Sequence, residues 1–426
     1  MYQKTVLDSG VILVSERIPS RTVSFGIWID AGTRDEDEHG SGAAHFLEHM
    51  LFKGTGLRDA SAIARELDRL GGLSNAFTTK ENTCLYGTVL DSQLSSLVTI
   101  LSELFFDSLL PDHEIERERM VILQEIGMSL DTPEDLIHDL FAGVMWEGHS
   151  MSRPVLGRSE VIAAMDRDLL QAFKHRGYRP GRVLVSAAGN VDHHALVGML
   201  SAMNDWRPAS LPGAALPARI APSPQPPKVS IYPKRLEQAH VLLGTPGPPA
   251  STESRYVLSL LNTVLGGNMS SRLFQEVREK RGLAYSIYSF AEGASDCGVV
   301  GVYAGVNADS VIEVRGLVDE VIADICQGGI TADELRGAQD FVRAGLFLAE
   351  ESMEARMMRL AKNEMTFGRH IPIEEAEAGV CRVVPAEVTE LATTLFAGPL
   401  AGVVLGPVRQ EDCRPDEELT AGDGDE

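Results

Sequence analysis

Seven prolines between residues 207 and 228 divide this chain of 426 residues into two halves of similar length. Proline fixes its own φ and removes a backbone hydrogen-bond donor, so a stretch this rich in proline predicts a linker and not a helix or strand. We therefore expect an N-terminal domain at residues 1–206, a linker at 207–228 and a C-terminal domain at 229–410. The acidic residues 411–426 predict a disordered tail.

The two halves repeat one order of predicted elements, which indicates two domains built on the same plan. In the first half, a strand at residues 22–29 is followed by two helices, a strand pair and a further helix. In the second half, a strand at residues 239–243 begins the same series. The repeats differ at one motif, because the second half has no counterpart of segment 45–49.

The segment His45-Phe46-Leu47-Glu48-His49 places two imidazoles and a carboxylate on one helical turn. At about 100° per residue, His45 and His49 lie about 40° apart, so both rings can bind one zinc ion. A catalytic zinc keeps a position for water and lowers its pKa to roughly 7, and Glu48 is placed to accept that water's proton. The alternative is a surface helix that carries two histidines and a glutamate by coincidence.

A third zinc ligand has to come from another element, because two imidazoles leave a catalytic zinc one protein ligand short. A helix predicted at residues 111–130 offers four carboxylates, Glu114, Glu116, Glu118 and Glu125. Glu118 and Glu125 share a helix face that also carries apolar side chains, where a carboxylate needs a cation. The pattern alone favours the alternative of a solvated carboxylate at the helix edge, and periodicity does not select between the two.

Composition argues against several classes of protein. A formal net charge of −23 argues against nucleic acid or an anionic membrane as the partner. The chain has no run of about 18 apolar residues, and its opening residues lack the apolar core of a secretory signal. Five scattered cysteines without a C-x-x-C pair argue against a disulfide framework or a thiolate zinc site. These features predict a soluble cytoplasmic protein with reduced cysteines.

Several stretches of the chain resemble the pitrilysin/insulinase family of inverted-motif zinc peptidases. Within that family, they most resemble the mitochondrial-processing-peptidase-like branch. They are segment 45–49, its continuation through residues 50–55, the stretch Asn75-Ala76-Phe77-Thr78, and the pair Glu118 and Glu125. The resemblance implies an α+β fold of two homologous domains, each a mostly antiparallel sheet packed with helices. It also implies that His45, His49 and Glu125 hold one zinc ion per chain, that Glu48 is the general base, and that Glu118 supports the ligands from behind.

The resemblance also assigns residues to the substrate in the metal-bearing domain. It implies that the strand containing Asn75, Ala76 and Phe77 is a sheet edge beside the zinc, to which an extended peptide adds as a further strand. Asn75 would then contact the peptide backbone, and Phe77 would line a side-chain pocket. Taken without the resemblance, Asn75 is a turn residue and Phe77 is a core aromatic.

In the metal-free domain, the resemblance implies that Arg278 and Tyr285 steady the substrate carbonyl and the tetrahedral intermediate. Arg281 is a close rival for the arginine role. Without the resemblance, Arg278 is a solvated residue near a helix end and Tyr285 is a strand aromatic. Because one chain carries both the zinc ligands and this pair, we expect a self-sufficient homodimer.

The resulting hypothesis is a zinc-dependent endopeptidase that hydrolyses peptides or unfolded, presequence-like segments in an enclosed chamber. Three alternatives remain: a non-catalytic structural or assembly subunit of the same fold, a chamber that binds peptides without cutting them, and a different metal hydrolase with the same ligands. Neither nucleic acid nor a membrane is expected as a partner.

Overall fold

The structure is a computed structural model that describes residues 1–203, 216–223, 225–409 and 419–421. It contains two compact units, each built around a six-stranded sheet. Unit 1 comprises Met1–Met128, Arg153–Arg219 and Leu348–His370, and unit 2 comprises Ser129–Ser152, Ile220–Phe347 and Ile371–Glu426. The expected α+β fold of two domains with one plan is confirmed.

The strands of sheet 1 are β1 (Tyr2–Val6), β2 (Ile12–Arg17), β3 (Thr22–Ile29), β4 (Leu73–Thr78), β5 (Thr83–Leu90) and β6 (Val183–Gly189). The strands of sheet 2 are β7 (Val229–Pro233), β8 (Ala239–Gly247), β9 (Ala284–Gly293), β10 (Gly298–Val306), β11 (Ala401–Gly406) and β12 (Leu419–Ala421).

The α-helices among the described residues are α1 (Ala43–Leu51), α2 (Ala60–Arg69), α3 (Leu94–Asp107), α4 (Asp112–Asp131), α5 (Pro133–Met145), α6 (Ser159–Ala164), α7 (Arg167–Gly177), α8 (His193–Ala202), α9 (Arg255–Asn262), α10 (Val311–Gly328), α11 (Ala332–Ala349), α12 (Met353–Phe367), α13 (Ile373–Cys381) and α14 (Pro385–Leu395). Two π-helical stretches follow α9, at Thr263–Gly267 and Phe274–Glu279. In the part of the chain described, no helix combines the length and the apolar character needed to cross a membrane.

Sheet 1 has the strand order β1-β2-β6-β3-β5-β4, and only the β2–β6 pair is parallel. The central strand β3 is buried along almost its whole length, which explains its continuous apolar sequence. Side chains of a strand alternate between the two faces of the sheet. Phe25 and Ile27 therefore enter the main core of unit 1, and Trp28 lies on the opposite face.

A helix from late in the chain covers that opposite face of sheet 1. Met357 and Leu360 of α12 pack there against Trp28 and Cys84, and all four side chains are almost fully buried. Gly26 allows this close approach, because a Cβ at residue 26 would lie 2.8 Å from the Met357 sulfur. The residues of α12 thus complete the fold of unit 1, although they follow most of unit 2 in the sequence.

Sheet 2 has the order β12-β7-β11-β8-β10-β9, and β7–β11 is parallel, as is the corresponding pair in sheet 1. One face packs against α9, α10 and α14. The other face is covered by α5, whose Ile137 and Phe141 pack against Leu242 and Tyr303. Residues 129–152 therefore fold into unit 2, just as residues 348–370 fold into unit 1.

The units are defined by packing, whereas the domain boundaries 1–206 and 229–410 describe sequence repeats and stay a prediction. Within the predicted linker, residues 216–223 and 225–228 form no helix or strand. Arg219 nevertheless anchors this segment to unit 1, donating to the carboxylates of Asp30 and Asp35 and to the Glu81 carbonyl. The predicted tail lies outside the described residues except for Leu419–Ala421, which pair with β7, and its disorder stays a prediction.

Candidate metal centre

The helix α1 that carries the histidine motif begins at a fixed point. Gly42 caps it with a φ of 94°, a left-handed conformation that favours glycine. The buried Glu36 carboxylate accepts the N–H groups of Gly42 (2.8 Å) and Ala44 (2.7 Å), which have no partner within the helix. Burial raises the pKa of Glu36 to about 8, and these two hydrogen bonds oppose that rise. Glu36 thus fixes the first turn of α1 through hydrogen bonds to Gly42 and Ala44, and Ala44 directly precedes His45.

The three predicted zinc ligands meet on one side of α1. The ring centroids of His45 and His49 are 4.7 Å apart. The Glu125 Oε2 atom, contributed by α4, lies 3.8 Å from His45 Nε2 and 3.6 Å from His49 Nε2. Within the described residues, this trio is the one group of histidine, cysteine or acidic side chains arranged to hold a metal ion.

The geometry of the trio fits zinc. A tetrahedral ion with bonds of about 2.0–2.1 Å separates its ligand atoms by about 3.3 Å, close to the distances found. Glu125 Oε2 is buried and has no hydrogen bond to any described residue, as expected of an oxygen that binds a cation. Burial, with the neighbouring His49, lowers the pKa of His45 to about 4, which keeps this imidazole in its neutral, ligating form. The Glu125 side chain as a whole is 37% exposed, so solvent can reach the ligands.

Glu118 stands behind one of the two histidines. Its Oε2 atom lies 3.0 Å from His49 Nδ1, and its Oε1 atom lies 2.6 Å from Lys53 Nζ. A ligating histidine is commonly oriented by such a contact at its other ring nitrogen. The corresponding atom of His45, Nδ1, is buried and has no hydrogen-bond partner in the part of the chain that the structure describes.

Glu48 points to the edge of sheet 1. Its Oε2 atom accepts a 2.6 Å hydrogen bond from the hydroxyl of Thr78, the last residue of β4. Burial raises the pKa of Glu48, the Thr78 hydrogen bond and His49 lower it, and Glu125 raises it further. A raised pKa makes a carboxylate a better proton acceptor, and this one stands beside the candidate ligands.

The strand β4 is an edge of sheet 1, since β5 is its one neighbour in the sheet. Asn75 is exposed within this strand and does not lie in a turn, which corrects the alternative reading. Ala76 packs against the main core, whereas Phe77 lies on the opposite face and contacts Trp28 and Tyr86. Phe77 thus matches the core-aromatic alternative, and the substrate roles of Asn75, Ala76 and Phe77 stay predictions.

Comparisons with known proteins agree with this geometry. The family model "Insulinase (Peptidase family M16)" matches residues 11–159, and "Peptidase M16 inactive domain" matches residues 164–341. A protein of Streptomyces coelicolor named an uncharacterized zinc protease is 38% identical, with 96% of this chain and 91% of the relative covered. A protein of Bacillus subtilis with the same description is 36% identical, with 96% and 98% covered.

The chain belongs to peptidase family M16, the insulinase family. Its fold is shared by the crystal structure of a peptidase M16 inactive domain from Pseudomonas fluorescens, with a TM-score of 0.88, 20% identity, and coverage of 95% of this chain and 98% of that one. A protease from Helicobacter pylori matches with a TM-score of 0.86, 21% identity, and coverage of 96% and 99%. The processing-peptidase-like branch within M16 stays a prediction.

The M16 resemblance also named Arg278 and Tyr285, which lie in unit 2. The Arg278 guanidinium carbon is 5.0 Å from the centre of the Tyr285 ring, and 78% of Tyr285 is exposed. The rival Arg281 is instead paired with Glu276. The structure therefore brings Arg278, and not Arg281, to the tyrosine, while the part of both residues in catalysis stays a prediction.

Three residues of this M16 site were missed by sequence reasoning: Glu36, Lys53 and Thr78. Lys53 and Thr78 lie inside the stretches that resemble the family, so the resemblance could have pointed to both residues. The sequence did not show which residue each of these side chains contacts. Contacts between α1, α4 and β4 depend on packing, which periodicity in the sequence does not show.

Proposed function

We propose that this chain is a zinc-dependent endopeptidase of family M16. The observation that carries the proposal is the convergence of His45, His49 and Glu125 on one small volume, with Glu48 next to it on the same helix. The names of the M16 relatives, which describe zinc proteases, support the same chemistry.

The residues would divide the reaction between them. His45 Nε2, His49 Nε2 and Glu125 Oε2 would hold one zinc ion per chain. When bound, zinc polarises a peptide carbonyl and lowers the pKa of a water molecule to about 7. Glu48 would take the proton from the attacking water and pass it to the amine that leaves when the C–N bond breaks. Thr78 occupies one oxygen of Glu48, which leaves the other oxygen for this transfer.

The substrate we propose is an extended peptide. The strand β4 ends the described strand order of sheet 1, and its last residue, Thr78, contacts the base, so a peptide paired with β4 would pass beside the ligands. Main-chain pairing needs an unfolded segment, which favours oligopeptides or presequence-like segments over native proteins. Enclosure of the substrate in a chamber, a homodimer, and the participation of Arg278 and Tyr285 belong to the same proposal and rest on the M16 resemblance.

The test combines metal analysis with peptide cleavage for the wild type and for Glu48→Gln. We expect the wild type to cleave an unstructured peptide, to lose that activity to a chelator, and to regain it with zinc. Glu48→Gln should keep its zinc and lose about 10²-fold to 10⁴-fold in kcat. Glu38→Gln, which changes an exposed acid ahead of α1, is the matched control and should behave as the wild type.

The alternatives predict results that differ from those of the proposed peptidase. A wild type that binds peptide and zinc without cleavage indicates a peptide-binding or structural subunit. Mass spectrometry of the products separates peptide hydrolysis from another metal-dependent hydrolysis. Normal cleavage by Glu48→Gln would show that Glu48 is not the base.

A further inference from the structure

Two side chains, Lys53 and Glu118, connect solvent with the proposed zinc ligand His49. Lys53 Nζ is 2.6 Å from Glu118 Oε1, Glu118 Oε2 is 3.0 Å from His49 Nδ1, and His49 Nε2 is 3.6 Å from Glu125 Oε2. The Lys53 side chain is 28% exposed and that of Glu118 only 7%. The contacts run without a gap from a partly solvated cation to the proposed metal position.

We propose that Lys53 is a positioning residue that sets the zinc affinity of the site by fixing Glu118 behind His49. The proposal rests on the zinc site of the proposed function, and it adds a residue with no direct contact to the ligand atoms. Glu118 has two carboxylate oxygens and two partners, one for each oxygen. With Oε1 held by Lys53, the carboxylate plane is fixed and Oε2 stays aligned with the ring nitrogen of His49.

The backbone of Lys53 is held next to the ligand helix. The helix α1 ends at Leu51, and the N–H of Lys53 donates to the Met50 carbonyl at 3.2 Å, so the residue sits in a tight turn next to the ligand helix. Glu118 is buried on α4, where a carboxylate without a cation would carry a large desolvation cost. Loss of the cation would leave Oε1 unpaired and allow the carboxylate to turn away from His49.

The two histidines differ in the polar contact at Nδ1. His45 Nδ1 is buried and has no hydrogen-bond partner among the described residues, so no polar contact at that nitrogen orients its ring. His49 is therefore the ligand whose direction depends on a polar chain, and Lys53 is the outer end of that chain. Partners behind metal-ligating histidines typically change metal affinity by about 10-fold to 100-fold when they are removed.

A purely structural ion pair between α4 and the turn after α1 would explain the same contact, and zinc affinity separates the two explanations. We would measure the zinc dissociation constant by competition with a chromogenic chelator, without any peptide. Lys53→Met should weaken zinc binding about 10-fold. Lys53→Arg, which keeps the cation, should restore most of the affinity, and Lys53→Gln provides a second neutral variant if Lys53→Met folds poorly.

A double-mutant cycle makes the test specific. Glu118→Gln should itself weaken zinc binding, and adding Lys53→Met to it should change nothing further, because the lysine acts through that carboxylate. The matched control is Lys4→Met, which removes a similar pair between a half-exposed lysine and the buried Glu364, at the edge of sheet 1 opposite β4. It should leave the zinc affinity unchanged.

Two results would overturn the proposal: unchanged zinc affinity in the folded Lys53 variants, or an equal loss in the presence and absence of Glu118. Neither result would contradict the proposed peptidase function. Conversely, a wild type that binds zinc tightly without cleaving peptides would refute the proposed function and leave the role of Lys53 intact, whereas a wild type that binds no zinc would refute both.

Discussion

The two sheets share their order and pairing across five strands, yet the helices that follow the equivalent strands β3 and β8 are built for different tasks. In unit 1, α1 turns His45 and His49 toward Glu125 on α4. In unit 2, the run through α9 continues into the π-helical stretch Thr263–Gly267, whose first four residues are buried.

Close packing replaces ligand atoms at this position of unit 2. A Cβ at residue 266 would lie 2.5 Å from the backbone nitrogen of Ser289 in β9, so Gly266 lets the helix approach the sheet. The trio of candidate metal ligands in unit 1 has no equivalent among the described residues of unit 2. Two sheets of the same plan therefore differ in whether a few side chains, here on α1 and α4, are arranged to hold a metal.

The largest expected effect is the loss of zinc from the variant His49→Ala, which tests whether the trio in unit 1 is the zinc site. His49→Ala removes one of three ligands, so zinc content should fall from about one ion per chain to none, and peptide cleavage should fall to the detection limit. Elemental analysis of the purified protein measures this. His39→Ala, at an exposed histidine shortly before α1, is the control. Zinc retained at full occupancy in His49→Ala would break the comparison, since another site would then bind the ion.

The second prediction tests the packing role of the helix in unit 2. Gly266→Ala should destabilise that unit by about 1–3 kcal/mol, because the added methyl group has no space against Ser289. Hydrogen exchange of peptides from β9 and the preceding helix should report the loss, with zinc content unchanged. Gly337→Ala lies on α11 with open space around it and should be neutral or slightly stabilising. Equal behaviour of the two variants would contradict the close-packing argument.

The smallest expected effect concerns the edge strand of unit 1. Thr78→Val removes a hydrogen bond that lowers the pKa of Glu48, so that pKa should rise further above its usual value. The base works when deprotonated, and activity is lost as the pH falls through its pKa. The acid limb of kcat/KM should therefore move to higher pH, with a loss of about 10-fold below neutral pH and a smaller loss at higher pH.

Two further variants sharpen the Thr78 experiment. Thr78→Ser keeps the hydroxyl and should restore the wild-type profile. Thr88→Val removes a hydroxyl of β5 that bonds to Ser24 and should leave the profile unchanged. A profile that does not move in Thr78→Val would show that the edge strand has no influence on Glu48.

Much of the fold was predictable because it depends on local patterns. The buried run of β3, the apolar spacing of the helices and the repeated order of elements indicated two similar domains. The exchange of α5 and α12 between the halves of the chain was not predictable. An amphipathic helix shows that it must cover an apolar surface, but its sequence does not say which sheet provides that surface.

At the candidate site too, the local sequence determined some features and the tertiary packing determined the others. Two histidines and a glutamate on one helical turn lie together because the chain is helical there, so residues 45–49 by themselves determined their shared face. Whether Glu118 or Glu125 would reach them, which residue would hold Glu48, and what Lys53 would bind were decided only by the packing of α4 and β4 against α1. Those contacts join residues far apart in the chain, and their geometry depends on how whole elements fill the core.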